Sequence, residues 1–381
     1  MLKIMISAGE ASGDLHGSRL VSELKAVRPD AEVFGIGGDR MQAAGMHLLY
    51  HINQMSIVGL SGIVRQLPFL RQAFKLIRNA LVKNKPALII LIDYPGFNLR
   101  LAKIAQSLDI PVMYYIVPQV WAWGSWRLKK IARLVQQAVV ILPFETEIFS
   151  NAGIKTEFVG HPLLDVLQVK SDKEAFFSKH QLSPAKKTIG LLPGSRVSEV
   201  AMLLPIMRAA VDQLREKHPD LQVVISKAES LDKQLFAEIL EPGHPYRLIE
   251  NATYEIMKYS DLLVVASGTA TLEAGLFKTP MVIVYKVSKL TYSIGKLLVK
   301  VDFLGLVNLL AGRQIVPELV QQNCTARNLI QTVDSLLTDN QKLDRMREEL
   351  SKIRQQMGQP GAAKRAAAIA LNLIESARAR S

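Results

Sequence analysis

The chain has 381 residues, 49% of them hydrophobic and 21% charged, a balance that supports globular cores over a length better suited to two domains than one. Its single cysteine, Cys324, excludes an internal disulfide framework and suits a reducing compartment. The net charge is +13, yet no segment reads as a secretory signal and no run is apolar enough for a confident membrane-spanning helix.

Short apolar strands alternate with helical patterns along the whole chain, which predicts parallel, doubly wound sheets that bind ligands at the C-terminal ends of their strands. The first strand, 3–7, runs into Ser7-Ala8-Gly9-Glu10-Ala11-Ser12-Gly13-Asp14. Its glycines and Ser12 let backbone approach a ligand closely, and Asp14 caps or begins the next helix. The spacing is not G-x-G-x-x-G. Gly35-Ile36-Gly37-Gly38, after a strand at 32–36, is no better, so a nicotinamide enzyme is disfavoured.

Between Asp39 and Asp93 the chain has no acidic residue. Leu70, Phe74 and Ile77 alternate there with Arg71, Lys75 and Arg78, a pattern expected of a surface that lies on anionic lipid. A core helix with a solvated basic face explains one such segment equally simply. A second acid-free run, 274–301, raises the membrane reading. Nucleic acid is the lesser alternative, because the cations are mixed with Leu, Ile and Phe rather than with stacking aromatics.

The strand at 87–92 ends on Asp93-Tyr94-Pro95-Gly96-Phe97-Asn98, where Asp93 is placed to act as a general base or simply to form a turn. After a strand at 111–116, Pro118-Gln119-Val120-Trp121-Ala122-Trp123-Gly124-Ser125-Trp126 gathers all three tryptophans of the chain. They suit a sugar or acyl surface, or a packed loop. Strands at 138–142 and 157–159 follow. His161-Pro162 marks the junction, as a sugar contact or a turn. Glu145-Thr146-Glu147 reads as a helix start.

A second series of strands falls at 188–192, 221–226, 246–249, 261–265 and 281–285. Pro193-Gly194-Ser195-Arg196 ends the first of them and offers backbone N–H groups plus a guanidinium to a diphosphate. Ser267-Gly268-Thr269 opens a helix after 261–265. A phosphate fits that helix start, and Glu273, about one turn in, can accept hydrogen bonds from ribose hydroxyls. An ordinary capped turn is the alternative. No Asp-x-Asp occurs and the seven histidines lack metal-ligand spacing, so no metal site and no cofactor are expected.

Eight motifs then stand in one order: Ser-Ala-Gly-Glu-Ala-Ser-Gly-Asp, Asp-Tyr-Pro-Gly-Phe-Asn, Pro-Gln-Val-Trp-Ala-Trp, Leu-Pro-Phe-Glu, Val-Gly-His-Pro, Leu-Leu-Pro-Gly-Ser-Arg, Ser-Gly-Thr-Ala-Thr-Leu-Glu and Asn-Leu-Leu-Ala-Gly-Arg. Together they closely resemble the lipid-A-disaccharide synthase family. The resemblance implies an α/β fold of the GT-B type, two Rossmann-like doubly wound parallel-sheet domains with the active site in the cleft between them. It implies a domain at 1–165 facing acceptor and membrane, a UDP-sugar domain at 166–345, and helices at 346–381 that pack back on the first domain or on a partner chain.

The implied reaction moves 2,3-diacylglucosamine from UDP-2,3-diacylglucosamine to 2,3-diacylglucosamine 1-phosphate, with inversion. Rival readings are another GT-B enzyme, such as the peptidoglycan N-acetylglucosaminyltransferase, or a non-catalytic lipid-binding protein. Family roles carried over make Asp93 the base. Ser195, Arg196, Ser267, Gly268, Thr269 and Glu273 hold UDP. Gly9, Glu10, Ser12, Gly13, Asp14, Asn98, Gln119, Trp121, His161, Asn308 and Arg313 are further substrate contacts. Two departures are Gly96, where some members carry an acid, and Val307, where some carry Pro. The expected setting is the cytoplasmic face of a Gram-negative inner membrane, as a peripheral protein on anionic lipid, with a homodimer among the allowed assemblies and no nucleic acid.

Overall fold

The computed structural model describes residues 1–54, 74–121, 124, 126–241, 243–288, 292 and 302–379. The chain forms two units, Met1–Asp165 with Met357–Ser381, and Val166–Gln356.

The first unit is built on seven parallel strands: β1 (Lys3–Ala8), β2 (Glu32–Gly37), β3 (His47–His51), β4 (Leu88–Ile92), β5 (Val112–Tyr115), β6 (Gln137–Val140) and β7 (Lys155–Phe158). Their order is β3-β2-β1-β4-β5-β6-β7. The unbroken run Leu88-Ile89-Ile90-Leu91-Ile92 is what a strand covered on both faces requires. Alternation divides it, sending Ile89 and Leu91 to one apolar layer and Leu88, Ile90 and Ile92 to the other.

Helices Ala11–Val27 and Ala362–Arg378 cover one face, burying Leu20, Leu24, Ala366, Ala370 and Ile374. The other face is covered by the helix at 74–84 and by Pro95–Gln106 and Trp126–Leu134, through Ile77, Leu81, Phe97, Leu101 and Ile131. Phe74 and Ile77 therefore do not form a lipid-facing surface. Ile77 is fully buried, and Phe74 stacks on Phe97 with ring centroids 4.4 Å apart. Core packing claims the apolar stripe, and the same helix turns Lys75, Leu76, Arg78, Val82 and Lys83 outward. Leu70 and Arg71 lie outside the described residues.

The second unit has six parallel strands: β8 (Thr188–Leu192), β9 (Gln222–Lys227), β10 (Arg247–Glu250), β11 (Leu262–Ala266), β12 (Met281–Tyr285) and β13 (Glu318–Val320). Their order is β10-β9-β8-β11-β12-β13. The eleven expected strands are all present, some shifted at their ends. β3 and β13 are additional. Both are sheet edges, and His-Leu-Leu-Tyr-His and Glu-Leu-Val lack the long apolar run of a central strand.

The expected grouping of residues 346–381 divides at Met357. Asn340–Gln356 packs in the second unit, and Ala362–Arg378 in the first. The return is fixed by Asp165, whose carboxylate accepts the N–H groups of Gly361 (2.6 Å) and Ala362 (3.2 Å) at the helix start. Arg365 adds donations to the Val159 carbonyl at 2.7 and 2.9 Å.

Strand order reverses between β1 and β4 in the first sheet and between β8 and β11 in the second. Ligands of doubly wound sheets bind at such switch points.

Candidate active site

At the first switch point, β4 delivers Asp93 into a strained turn. Asp93 has φ 44° and Tyr94 φ 48°, both in the left-handed region, before Pro95 starts the next helix. Such conformations cost on the order of 1 kcal/mol or more each and persist only where neighbours fix them. Here the Asp93 carbonyl accepts hydrogen bonds from Asn98 Nδ2 and from the Tyr114 hydroxyl, each 2.7 Å long. Asn98 also donates to the Ile92 carbonyl (3.0 Å) and accepts from Ser7 Oγ (2.7 Å), tying β1 to β4. The Asp93 carboxyl is pushed above its ordinary value, first by burial and then by the Glu10 carboxylate. A carboxylate made more basic and held at a strand end can take a proton.

Gly9 lies against Tyr94; a Cβ there would sit 2.2 Å from the ring, so the β1 loop and the Asp93 turn are fitted to each other. Gly13 is buried, and Glu10 and Ser12 are exposed beside them. Asp14 is turned away. Its carboxylate accepts the N–H groups of Gly38 (2.7 Å), Arg40 (3.1 Å) and Met41 (3.1 Å), capping the Asp39–Ala43 helix.

At the second switch point, Ser267, Gly268 and Thr269 follow β11 into the Thr269–Leu276 helix. Gly268 and Thr269 are exposed, and among the described residues no side chain caps the helix start and a Cβ on Gly268 would meet nothing within 4 Å. This is an open N-terminus suited to an anion. Ser267 instead donates its hydroxyl to the Leu304 carbonyl (3.0 Å). Burial lifts Glu273 to about 6. Across the switch, the turn after β8 is filled from within. Glu199 accepts the N–H groups of Ser195 (3.1 Å) and Arg196 (3.3 Å) on one oxygen and the Arg196 guanidinium (2.7 Å) on the other. Gly194, at φ 119°, leaves room for that carboxylate; a Cβ would stand 2.5 Å from it.

Two reversals of this kind fit more than one chemistry, and comparison with known proteins decides between them. The family model described as Lipid-A-disaccharide synthetase matches residues 4–373. The lipid-A-disaccharide synthase of Geobacter sulfurreducens is 40% identical over 98% of this chain and 97% of its own length. The chain belongs to the lipid-A-disaccharide synthase family. Among solved structures, a putative UDP-N-acetylglucosamine 2-epimerase from Listeria monocytogenes has a TM-score of 0.65 at 15% identity, covering 100% of this chain and 97% of that one. The glycotransferase of kitacinnamycin also scores 0.65 at 15% identity, covering 97% of this chain and 98% of that one. At that identity the likeness shows the fold alone, and the fold is the expected GT-B pair of Rossmann-like units.

For a member of the lipid-A-disaccharide synthase family, several expected substrate contacts have other partners. Asn308 is fully buried and spends its amide on its own unit. It accepts from Ile315 (2.8 Å) and Val316 (3.0 Å) and donates to the Val316 carbonyl (2.8 Å) and Glu318 (2.7 Å). Arg313 pairs with Glu349 at 2.5 Å. His161 is buried and drops to about 3, chiefly by desolvation, so it carries no charge for a phosphate at neutral pH. Gln119 remains exposed at the end of β5.

Trp121 donates Nε1–H to Glu145 (3.0 Å), a buried carboxylate that burial lifts to about 7. The composition of 145–147 marks the start of the Glu145–Asn151 helix and gives no sign of this burial. Tyr114 and Glu199 also escape sequence reading. Tyr114 is one more apolar-strand residue until its register beside β4 is known, and Glu199 reads as an ordinary first-turn acid. Among the described residues no three His, Cys, Asp or Glu side chains are grouped to hold a metal.

Proposed function

We propose that this chain transfers 2,3-diacylglucosamine from UDP-2,3-diacylglucosamine to 2,3-diacylglucosamine 1-phosphate, releasing UDP and the β-1,6-linked disaccharide 1-phosphate. The observation that carries the reading is the Asp93 turn: a strained, doubly hydrogen-bonded backbone that aims one more basic carboxylate from a switch point. Asp93 takes the proton from the acceptor 6-hydroxyl as that oxygen attacks the donor anomeric carbon. The C–O bond to UDP breaks as the new one forms, with inversion. UDP binds at the second unit's switch point. The Thr269–Leu276 helix start and Arg196 meet the developing diphosphate charge, and Glu273 accepts from the ribose hydroxyls. Both sugars carry acyl chains, so the enzyme works as a peripheral protein against anionic lipid. Among the described residues no helix is long and apolar enough to cross a membrane.

The test is UDP release and disaccharide formation in mixed micelles holding both substrates, with EDTA present. Product under those conditions supports the reaction and a site that works without a divalent cation. Product only after added magnesium keeps the reaction and overturns that view of the diphosphate. No product under either condition, with UDP still bound, overturns the acceptor assignment.

A further inference from the structure

Among the described residues Glu145 is the most deeply buried carboxylate, 1% exposed, and the proposed reaction gives it no task. It opens the Glu145–Asn151 helix after β6 and reaches back to the loop that leaves β5. One of its oxygens accepts Trp121 Nε1–H (3.0 Å), and the other accepts the Leu142 N–H (3.2 Å). The Phe144 ring meets the Trp121 ring edge-on, with centroids 5.1 Å apart. Among the described residues no cation pairs with Glu145. The groups that face it from the β5 loop and the β6 turn are the Trp121 indole and the N–H groups of Leu142 and Ile141, all uncharged, and Glu147 on its own helix is exposed.

At its other end the same loop meets the candidate base. Ile116 sits at φ 57°, a left-handed conformation that a β-branched residue adopts only where neighbours impose it. Its carbonyl accepts the Asp93 N–H (3.1 Å), and its own N–H donates to the Val139 carbonyl (3.0 Å). Residues 116–121 thus run from the back of the Asp93 turn to the Glu145 carboxylate. Burial pushes that carboxyl up to about 7, while the Trp121 and backbone donors pull the other way. A carboxyl held above its ordinary value opposes folding wherever it is ionised, so a neutral side chain of the same shape would serve the fold better. Buried ionisable groups of this kind gather at working sites.

We propose that Glu145 is a positioning residue for the transfer: through Trp121 its carboxylate holds the loop 116–121 in the shape that fixes the Asp93 turn. The proposal deepens the Asp93 reading above and rests on it. A carboxylate suits the task because each of its oxygens takes one donor. A proton on either oxygen makes a hydroxyl that accepts poorly and loosens one of the two ties. An amide in its place offers one oxygen and sets an NH2 group against the other donor. The loop is therefore held tightly above about pH 7 and more loosely below it.

The experiment is a kinetic and spectroscopic titration of the full chain with both substrates in mixed micelles. Glu145→Gln should lower kcat roughly tenfold, the size of a lost hydrogen bond to a charged group, with KM for either substrate changed less than about twofold. Its denaturation midpoint should equal or exceed that of the parent. The kcat of the parent should rise as pH passes through about 7, and Glu145→Gln should lose that rise. Asp93 titrates in both enzymes, so the difference between the profiles belongs to Glu145. Trp121→Phe, which keeps a ring but no N–H, should lower kcat as much, and the double variant should lose no more than either single one. Glu147→Gln should behave as the parent. In the isotope-labelled chain the Trp121 indole N–H resonance, assigned by its absence from Trp121→Phe, should titrate near pH 7 and become flat in Glu145→Gln. A Glu145→Gln enzyme with parental kcat overturns the proposal. So does one whose kcat falls only as its denaturation midpoint falls, and so do losses that add in the double variant. An indole that titrates as expected in a parent that forms no disaccharide leaves the tie between Glu145 and Trp121 standing and removes the proposed reaction.

Discussion

The two sheets reverse strand order at corresponding places, and the reversals are finished in opposite ways. In the first unit the turn is closed and strained. Asp93 and Tyr94 sit at positive φ, two donors grip the Asp93 carbonyl, and Gly9 fits against the Tyr94 ring. In the second unit the turn is open. Gly268 is extended, and among the described residues nothing stands within 4 Å of where its Cβ would lie and no side chain caps the helix start. One topology thus holds a carboxylate fixed in one place and leaves a helix start uncapped among the described residues in the other. A base must be aimed at one hydroxyl, whereas a diphosphate brings its own charge to whatever N–H groups stand clear.

Asp93→Asn tests the first half most severely. Turnover should fall roughly 100-fold or more while UDP affinity stays unchanged. Near-normal turnover would remove the base and with it the contrast. Glu273→Gln should act the other way round, weakening UDP about tenfold in calorimetry with little change in turnover at saturating donor. The pH dependence of UDP binding carries the same signature. With Glu273 at about 6, its carboxylate accepts ribose hydroxyls above that pH and is lost as pH falls through it, so affinity should drop from pH 7 to 5. The glutamine variant should be flat over that range; a parent that is also flat assigns the ribose elsewhere.

The smallest effects come from paired glycines. Gly9→Ala places a methyl 2.2 Å from the Tyr94 ring and should cost about 1–3 kcal/mol of stability together with turnover. Gly268→Ala meets nothing and should stay within about 0.5 kcal/mol. Equal denaturation midpoints for the two variants would show the turns to be alike after all.

The strands and both switch points were legible because buried parallel strands are apolar on both faces and small residues gather where they end. Asp93 stood out by its place after Leu-Ile-Ile-Leu-Ile. What a sequence lacks is the direction in which a polar side chain turns. Asp14, Asn98 and Asn308 have the composition and position of ligand contacts, yet each spends its hydrogen bonds inside its own unit, mostly on backbone. Phe74 and Ile77 show the same gap for apolar residues. One stripe on one helix serves a core or a membrane equally well until the sheet beneath it is known.

The helix Ala362–Arg378 belongs to a sheet whose strands are complete some two hundred residues earlier. At about 5–20 residues per second, ribosomal synthesis leaves an interval of roughly 10–40 s in which the first unit exists without that cover. During it Leu20, Val21 and Leu24 have no lid on the side this helix later occupies. The nascent first half therefore exposes this apolar patch until Gly361 and Ala362 reach Asp165. The helix that closes this face is the last element to be synthesised, and the intervening unit has time to fold before it.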